Sequence, residues 1–175
     1  MQVVFACNLH PYFYLMKNLT YLLFFVILFI TSCQKRDLAN SSGSIDDLAK
    51  KVLLAVESND IKRLDALRIN RDEFKRYLWP EFPASKNNVP FDFAWDNLNG
   101  KTIKGMARAL TDMGGREFRL IDVTFEEDTE KYTTFTIYTS AVLQVVDKDV
   151  NKKQLKFCGS IIERNGEYKF LSYRD

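Results

Sequence analysis

The stretch Ser160–Leu171, SIIERNGEYKFL, is the part of this 175-residue sequence that most directly predicts the fold. Apolar and aromatic residues lie on both sides of Asn165-Gly166, a pair that accepts positive φ at both positions of a tight turn. The pattern therefore predicts two antiparallel strands, over 154–163 and 167–173, at the end of the chain.

Two further strands are predicted upstream of this hairpin. Residues 117–126 and 131–146 are rich in β-branched and aromatic side chains. The second run is long enough to need a bend or a bulge. Asp147-Lys148-Asp149-Val150-Asn151 follows it and resembles the start of a calcium loop, but the glycine and glutamate required later in such a loop are absent. We interpret it as a polar hairpin loop.

The half of the chain before these strands has the signals of capped helices. Ser44 precedes an apolar stripe at helical spacing that includes Ile45, Leu48, Val52 and Val56. Asp60 and Asn70 can each cap a further short helix, and residues 96–113 are predicted to form one longer helix or two helices joined near Gly100. The fold class is therefore α+β, with amino-terminal helices packed on a four-stranded antiparallel sheet.

Two stretches resemble the NTF2-like, or SnoaL-like, superfamily in its cystatin-like α+β form. Leu53–Ile61, LLAVESNDI, is similar to the helix, polar turn and second helix of those domains, and Ser160–Leu171 is similar to their closing hairpin. The resemblance implies a domain over 45–175 whose curved sheet wraps the helices as a cone. It also implies a pocket in many members and dimerisation through the sheet. The superfamily contains enzymes and non-catalytic proteins, so the fold alone does not give function.

The segment Met16–Cys33 predicts where the protein is located. Lys17 precedes an uncharged run from Leu19 to Ile30, which has the length of a signal-peptide core and is too short to span a bilayer. Ile30-Thr31-Ser32-Cys33 resembles the lipobox of bacterial lipoproteins. That resemblance implies cleavage between Ser32 and Cys33, lipidation of Cys33 and anchoring in the cell envelope through acyl chains. The alternative is an uncleaved amino-terminal anchor.

The lipobox sets the expected boundaries of the chain. Residues 1–15 contain no Lys or Arg and indicate an over-extended gene model, 16–32 form the signal peptide, and 33–44 form a lipidated, flexible tether. Gln34 follows the cysteine where an inner-membrane retention signal has aspartate. The expected location is therefore the outer membrane more than the inner membrane.

Composition excludes several chemistries. The only histidine, His10, precedes Cys33, so histidine-dependent triads and metal sites are not expected in the mature chain, and no cofactor is implied. Loss of Lys17 leaves 24 basic against 23 acidic residues, which gives no argument for a nucleic-acid partner. Cys158 would be the remaining free thiol and is expected to be buried.

An aromatic cluster is the first candidate ligand site. Its members lie close together in the sequence: Tyr77, Trp79, Phe82, Phe91, Phe93 and Trp95. Five of them, Tyr77, Trp79, Phe91, Phe93 and Trp95, are the candidate ligand-binding residues. The cluster has two interpretations, a set of core residues closing one end of the domain or the aromatic lining of a pocket.

Asp122 is the candidate catalytic carboxylate. Alternation in its strand places it on one face with Phe118 and Leu120. If that face is buried, Asp122 would be desolvated and could act as an acid or base with Tyr132 or Tyr138. If the opposite face is buried, Asp122 is solvated and structural.

Three functions therefore follow from the sequence. The first is a non-catalytic envelope lipoprotein that binds a small apolar molecule, a lipid or a peptide. The second is an assembly partner that pairs with itself or another protein through its sheet. The third is a small isomerase- or hydrolase-like enzyme that uses Asp122 and a tyrosine. The missing histidine favours a non-catalytic role.

Overall fold

A computed structural model of the chain describes residues 37–174. Its helices are α1 (Ile45–Glu57), α2 (Ile61–Ala66), α3 (Arg71–Glu73), α4 (Pro83–Lys86) and α5 (Phe91–Met113). The chain continues from α3 into a π turn over Phe74–Leu78 and a 3-10 turn over Trp79–Glu81. Its strands are β1 (Phe118–Phe125), β2 (Glu130–Lys131), β3 (Thr136–Tyr138), β4 (Ala141–Asp147), β5 (Lys152–Leu155), β6 (Ile161–Arg164) and β7 (Glu167–Phe170). The α+β order, helices first and antiparallel strands after, is confirmed.

Side-chain caps begin the first three helices where the sequence predicts them. The Ser44 hydroxyl accepts the amide of Asp47, and the Asp60 carboxylate accepts two amides at the start of α2. Asn70 and Glu73 form a reciprocal capping box at α3. These bonds satisfy amide groups that have no partner within a helix, so each helix begins at a defined residue.

Helix α5 begins earlier than the sequence predicts. It runs without a break from Phe91 to Met113, whereas the predicted helix began at residue 96. Pro90 precedes it with φ −61°, and a proline is well suited to the start of a helix because it has no amide hydrogen to satisfy. The aromatic residues from Phe91 to Trp95 therefore lie on the first turns of a helix.

The prediction of one four-stranded sheet is not confirmed for the described residues. The strands form a three-stranded sheet, β1-β4-β5, and a four-stranded sheet, β2-β3-β6-β7. The chain reverses direction between Lys131 and Thr136. Strand structure is interrupted a second time at Ser140, which has φ 59°. A positive φ at a residue other than glycine interrupts a strand, so β3 and β4 join different sheets.

A bulge in β1 changes which side chains point inward. The register of β1 against β4 shifts between Leu120 and Asp122. Phe118 and Leu120 are at least half-buried before the bulge, whereas Val123 and Phe125 are the half-buried residues after it. An extra residue in one strand shifts the alternation of faces, and strict alternation from the sequence fails at this point.

Two clusters of buried side chains hold the domain together. In the larger cluster α1 and α2 pack with α5 and both sheets, around residues such as Leu48, Leu64 and Leu143. The smaller cluster joins the π turn and the start of α5 to β3 and β6, around residues such as Phe74 and Ile162. Within residues 37–174 no helix is both long and apolar enough to cross a membrane.

The turn after β4 is a polar hairpin loop, as predicted. One Asp147 oxygen accepts the amides of Asp149 and Asn151 at 3.0 and 2.9 Å, and the carboxylate lies 2.7 Å from Lys153 Nζ. The hydrogen bond from Lys153, with help from the Asn151 amide, lowers the pKa of Asp147 to about 2. The carboxylate thus organises the turn in its charged form.

The depressed pKa of Asp147 predicts a loss of stability in acid. The unfolded chain, whose carboxyl has a pKa near 3.8, binds the proton more readily than the folded protein, so the stabilisation is complete above about pH 4 and is lost towards pH 2. We expect Asp147→Asn to be less stable than the wild type at pH 6, with the difference shrinking at pH 2. Chemical denaturation at both pH values measures this. Lys148→Met is the control, and a difference that does not change with pH would contradict the prediction.

Candidate functional site

Residues 37–42 form a segment docked along the domain, which we call the strap. Leu38 is fully buried in the smaller cluster, and its amide donates to a Glu167 carboxylate oxygen at 2.9 Å. Ser42 and Tyr168 exchange two backbone hydrogen bonds, so the strap continues the edge of β7. The prediction of a flexible tether over 33–44 is therefore wrong for residues 37–42. The signal in the sequence was Leu38, a single large apolar residue within a polar run.

A buried ion pair between Lys169 and Glu73 helps to hold the strap. Lys169 Nζ lies 2.9 Å from Glu73, and the two residues are 1% and 6% exposed. The same Glu73 carboxylate accepts the amide of Ala39 in the strap at 2.7 Å and that of Asn70 at 3.0 Å. Glu73 thus links the helix cap, the strap and β7 through one side chain.

The sequence did not predict that Lys169 is buried, because a lysine in a terminal strand normally points to solvent. Burial lowers the pKa of Lys169 from its usual value, and the hydrogen bond to Glu73 opposes that shift. A buried charge of this kind is retained only where its partner is well placed. We regard the pair as structural because its charged atoms bind to one another and to the backbone.

Open grooves lie on both sides of the strap. The first, of about 620 Å³, is lined by polar and charged residues of the strap and of the 70–77 segment, including Asn40, Arg71, Asp72, Arg76 and Tyr77. The second, of about 450 Å³, lies between the strap, α1 and α2. Both volumes fall within the range of sites that bind small ligands.

The second groove has an apolar floor and a basic rim, and we call it the Leu54 groove. We use floor for the apolar part of its lining, Leu54, Ala66 and Leu67, and rim for the basic part, Lys51 and Arg63. Leu54 is 57% exposed, which is unusual for a leucine on the helix that carries the main core stripe. It lies outside the buried stripe of α1, which consists of Leu48, Ala49, Val52, Leu53, Ala55 and Val56.

The aromatic cluster is mostly part of the core. Trp95 is buried, and Tyr77, Trp79, Phe82 and Phe91 are half-buried against the smaller cluster. The Phe74 ring lies 5.6 Å from that of Trp95 and 6.1 Å from those of Trp79 and Phe91. This arrangement favours core residues at one end of the domain over a ligand-binding surface.

Phe93 does not join the other aromatic residues. It is 64% exposed, because Phe91 and Trp95 are four residues apart on one face of α5 and Phe93 points away from that face. The prediction that Phe93 shares a ligand-binding cluster with Trp95 is therefore wrong.

The candidate catalytic residues have structural roles. Asp122 is exposed and accepts the amide of Val123 at 2.8 Å, so burial does not prepare it for acid or base chemistry. The Tyr132 hydroxyl donates to Glu130, and burial with that hydrogen bond raises the pKa of Tyr132 to about 12. Tyr138 packs its ring 5.3 Å from that of Phe125. The observation that the enzyme hypothesis required, a desolvated Asp122, is not present.

Three predictions remain, and they concern Cys158, metal binding and the lipobox. Cys158 is fully buried, as predicted, and burial raises the pKa of its thiol. Among residues 37–174, no group of three or more His, Cys, Asp or Glu side chains could hold a metal ion. The lipobox Ile30–Cys33, with its cleavage site between Ser32 and Cys33, lies outside the described residues.

Comparisons with known proteins do not extend this description. No protein-family model matches the chain, and searches of curated proteins and of solved structures also find no match. The function must therefore be argued from the residues of the chain itself.

Proposed function

We propose that this chain is a lipid-anchored, non-catalytic binding protein of the bacterial cell envelope, and that the Leu54 groove is its binding site. The observation that carries the proposal is the apolar floor of that groove, in which Leu54 is 57% exposed beside Ala66 and Leu67. The groove replaces the aromatic cluster as the candidate site, because five of the six aromatic residues belong to the smaller core cluster or pack against it.

The groove suits an amphipathic ligand that carries a negative charge. Apolar side chains on the floor favour an acyl chain or an apolar peptide side chain. Lys51 and Arg63 at the rim favour a carboxylate or phosphate at one end of that ligand, which would share them with their ion-pair partners Asp47 and Asp60. A fatty acid, a lipid or a short acidic peptide has this combination. Laurate, a fatty acid, is a simple probe of it.

Replacing Leu54 with glutamate is expected to weaken laurate binding about tenfold or more. The change removes apolar contact worth roughly 1.5–3 kcal/mol and adds a charge that repels the carboxylate of the probe. Isothermal titration calorimetry of the wild type and the variant measures the loss. Ile121→Glu is the matched control, because Ile121 is 53% exposed but lies on β1, outside the lining of the groove. Equal weakening by both variants would contradict the site.

The anchoring part of the proposal depends on Cys33. Intact-mass analysis of protein from a bacterial host is expected to show a chain that begins at Cys33 and carries acyl chains. Cys33→Ser is expected to leave an unacylated protein outside the membrane fraction, because the firm anchor is lost. An uncleaved wild-type chain with unmodified Cys33 would contradict this. Gln34 after the cysteine supports the outer membrane as the location.

We also propose that the two sheets belong to one strongly bent layer of the NTF2-like kind. A backbone hydrogen bond between the two sheets supports this: the amide of Ala141 in β4 donates to the carbonyl of Gly159, two residues before β6, at 2.9 Å. Slow amide hydrogen exchange at Ala141, where this hydrogen bond joins β4 to the residues before β6, would agree with the proposal. Exchange at Ala141 as fast as in an exposed loop would contradict it.

A second candidate function is assembly through the sheet. Ile121 is exposed on β1 next to Asp122, and an exposed apolar residue on a sheet face is a possible contact for a second copy. This role predicts a dimer at low micromolar concentration that Ile121→Glu converts to a monomer. Size-exclusion chromatography with light scattering distinguishes it, and a wild-type monomer would exclude self-assembly under those conditions.

A further inference from the structure

We propose that the face of the domain around Asp37 rests on the phospholipid headgroups of the membrane that holds the anchor. This inference depends on the proposed lipidation of Cys33. The contact would give the anchored domain a fixed orientation and a second attachment to the membrane, next to the start of the strap.

The start of the strap is held against the closing hairpin. The Asp37 carboxylate accepts hydrogen bonds from Arg164 Nε at 3.3 Å and from Asn165 Nδ2 at 3.0 Å. Cys33 precedes Asp37 by four residues, and four residues span at most about 14 Å. A domain of this length has a radius of gyration of about 14 Å and a diameter more than twice as large. Only the face around Asp37 can therefore remain next to the bilayer.

The connection between Cys33 and the folded domain is short only because the strap is docked. If residues 37–42 were free, the connection would be ten residues long and could extend to about 35 Å, so the domain could turn any face to the membrane. Instead Leu38 is fully buried, and Ser42 pairs with Tyr168. The connection is thereby reduced to the few residues before Asp37.

The face around Asp37 carries aromatic rings covered by basic side chains. Arg164 lies 4.6 Å and Arg76 5.9 Å from the centre of the Tyr77 ring. Arg71 and Lys75 lie 5.0 and 5.3 Å from the centre of the Phe91 ring. We call these six residues the Tyr77 patch.

The Tyr77 patch has the chemistry of a membrane interface. Half-buried rings are suited to the boundary between headgroups and acyl chains, and guanidinium groups bind phosphate in a paired geometry. Asp37 pairs with Arg164, and Asp92 pairs with Arg71, so the net charge of the region is small and the attraction is weak. Weak attraction is sufficient, because the anchor keeps the patch at a high effective concentration near the lipid.

The test measures which face of the anchored domain meets the lipid. Full-length lipidated protein is reconstituted in vesicles of phosphatidylethanolamine and phosphatidylglycerol, with some lipids carrying a spin label on the headgroup. A bimane fluorophore is placed at Asp72→Cys, in the groove beside Arg76, or at Lys148→Cys. Asp72 lines the same groove as Asp37, whereas Lys148 lies in the turn between β4 and β5, in the sheet that does not contain the closing hairpin. Cys158 is buried and does not compete for the label.

We expect the spin-labelled headgroups to quench the label at position 72 at least twofold more than the label at 148. Equal or reversed quenching in acylated protein would overturn the orientation and leave the anchor intact. Intact mass of the same sample shows whether Cys33 is acylated. Unacylated protein that stays outside the vesicles would overturn the proposed lipidation.

Two variants separate the strap from the patch. Leu38→Ser, which frees the strap, is expected to bring the two quenching values together, with circular dichroism confirming that the domain remains folded. Arg76→Glu is expected to reduce quenching at position 72, whereas Lys104→Glu, an exposed charge change on α5, is expected to leave it unchanged. Equal effects of Arg76→Glu and Lys104→Glu would overturn the contact between the patch and lipid.

Discussion

Replacing Lys169 with methionine is expected to lower the free energy of unfolding by about 3–5 kcal/mol. The variant keeps most of the side-chain volume but leaves the Glu73 carboxylate, 6% exposed, without its ammonium partner. A buried charge without a partner is among the most costly defects in a folded protein. Denaturant unfolding followed by circular dichroism measures the loss.

A double variant tests whether Glu73 and Lys169 stabilise the protein as a pair. The double variant Glu73→Gln, Lys169→Met is expected to recover part of the stability, because no charge is then left buried. Arg108→Met is the control on an exposed ion pair with Asp112 and should have an effect several times smaller. Additive losses in the double variant would contradict the role assigned to the pair. Faster amide hydrogen exchange at Ala39 in Lys169→Met would show that Glu73 holds the strap.

Two glycines of α5 are expected to respond in opposite directions to alanine. A Cβ at Gly105 would lie 2.5 Å from the Arg174 carbonyl oxygen and 2.8 Å from the Tyr173 carbonyl carbon. These are backbone atoms of the terminal segment, and Tyr173 anchors that segment through a hydroxyl that donates to the Leu64 carbonyl at 3.0 Å. Gly105→Ala is therefore expected to cost about 1–3 kcal/mol, because the segment must move away from the helix.

Gly100→Ala is the matched control in the same helix. A Cβ at Gly100 meets no atom within 4 Å, so the substitution should stabilise the helix by up to about 1 kcal/mol. Thermal unfolding of both variants should give melting temperatures on opposite sides of the wild-type value. Destabilisation by Gly100→Ala, or an unchanged melting temperature in Gly105→Ala, would contradict the packing of α5 against the carboxyl-terminal segment.

Local signals in the sequence predicted local structure well. The caps at Ser44, Asp60 and Asn70 were identified because a capping side chain and the amides it binds lie within three residues of one another. The tight turn at Asn165-Gly166 was identified for the same reason, and both residues have positive φ. Features of this kind depend little on the rest of the fold.

Features that depend on distant parts of the chain were predicted only in part. The length of the run 131–146 predicts a bend or a bulge, and the strand is interrupted within it, at Ser140. The bulge near Asp122 in β1 was missed, because the alternation of residue types does not reveal it. Lys169 resembled a surface residue until the fold placed Glu73, nearly a hundred residues earlier, beside it. The Leu54 groove was missed for a similar reason, because it requires the strap and two helices together.

Native mass spectrometry of the protein purified from a bacterial host tests the central claim, a ligand-binding groove at Leu54, most directly. We predict that the wild type carries additional non-covalent mass that is released on denaturation. The Leu54→Glu variant should lose most of that mass, and the Ile121→Glu variant should retain it. Absence of bound mass in the wild type, or equal occupancy in wild type and Leu54→Glu, would contradict the claim.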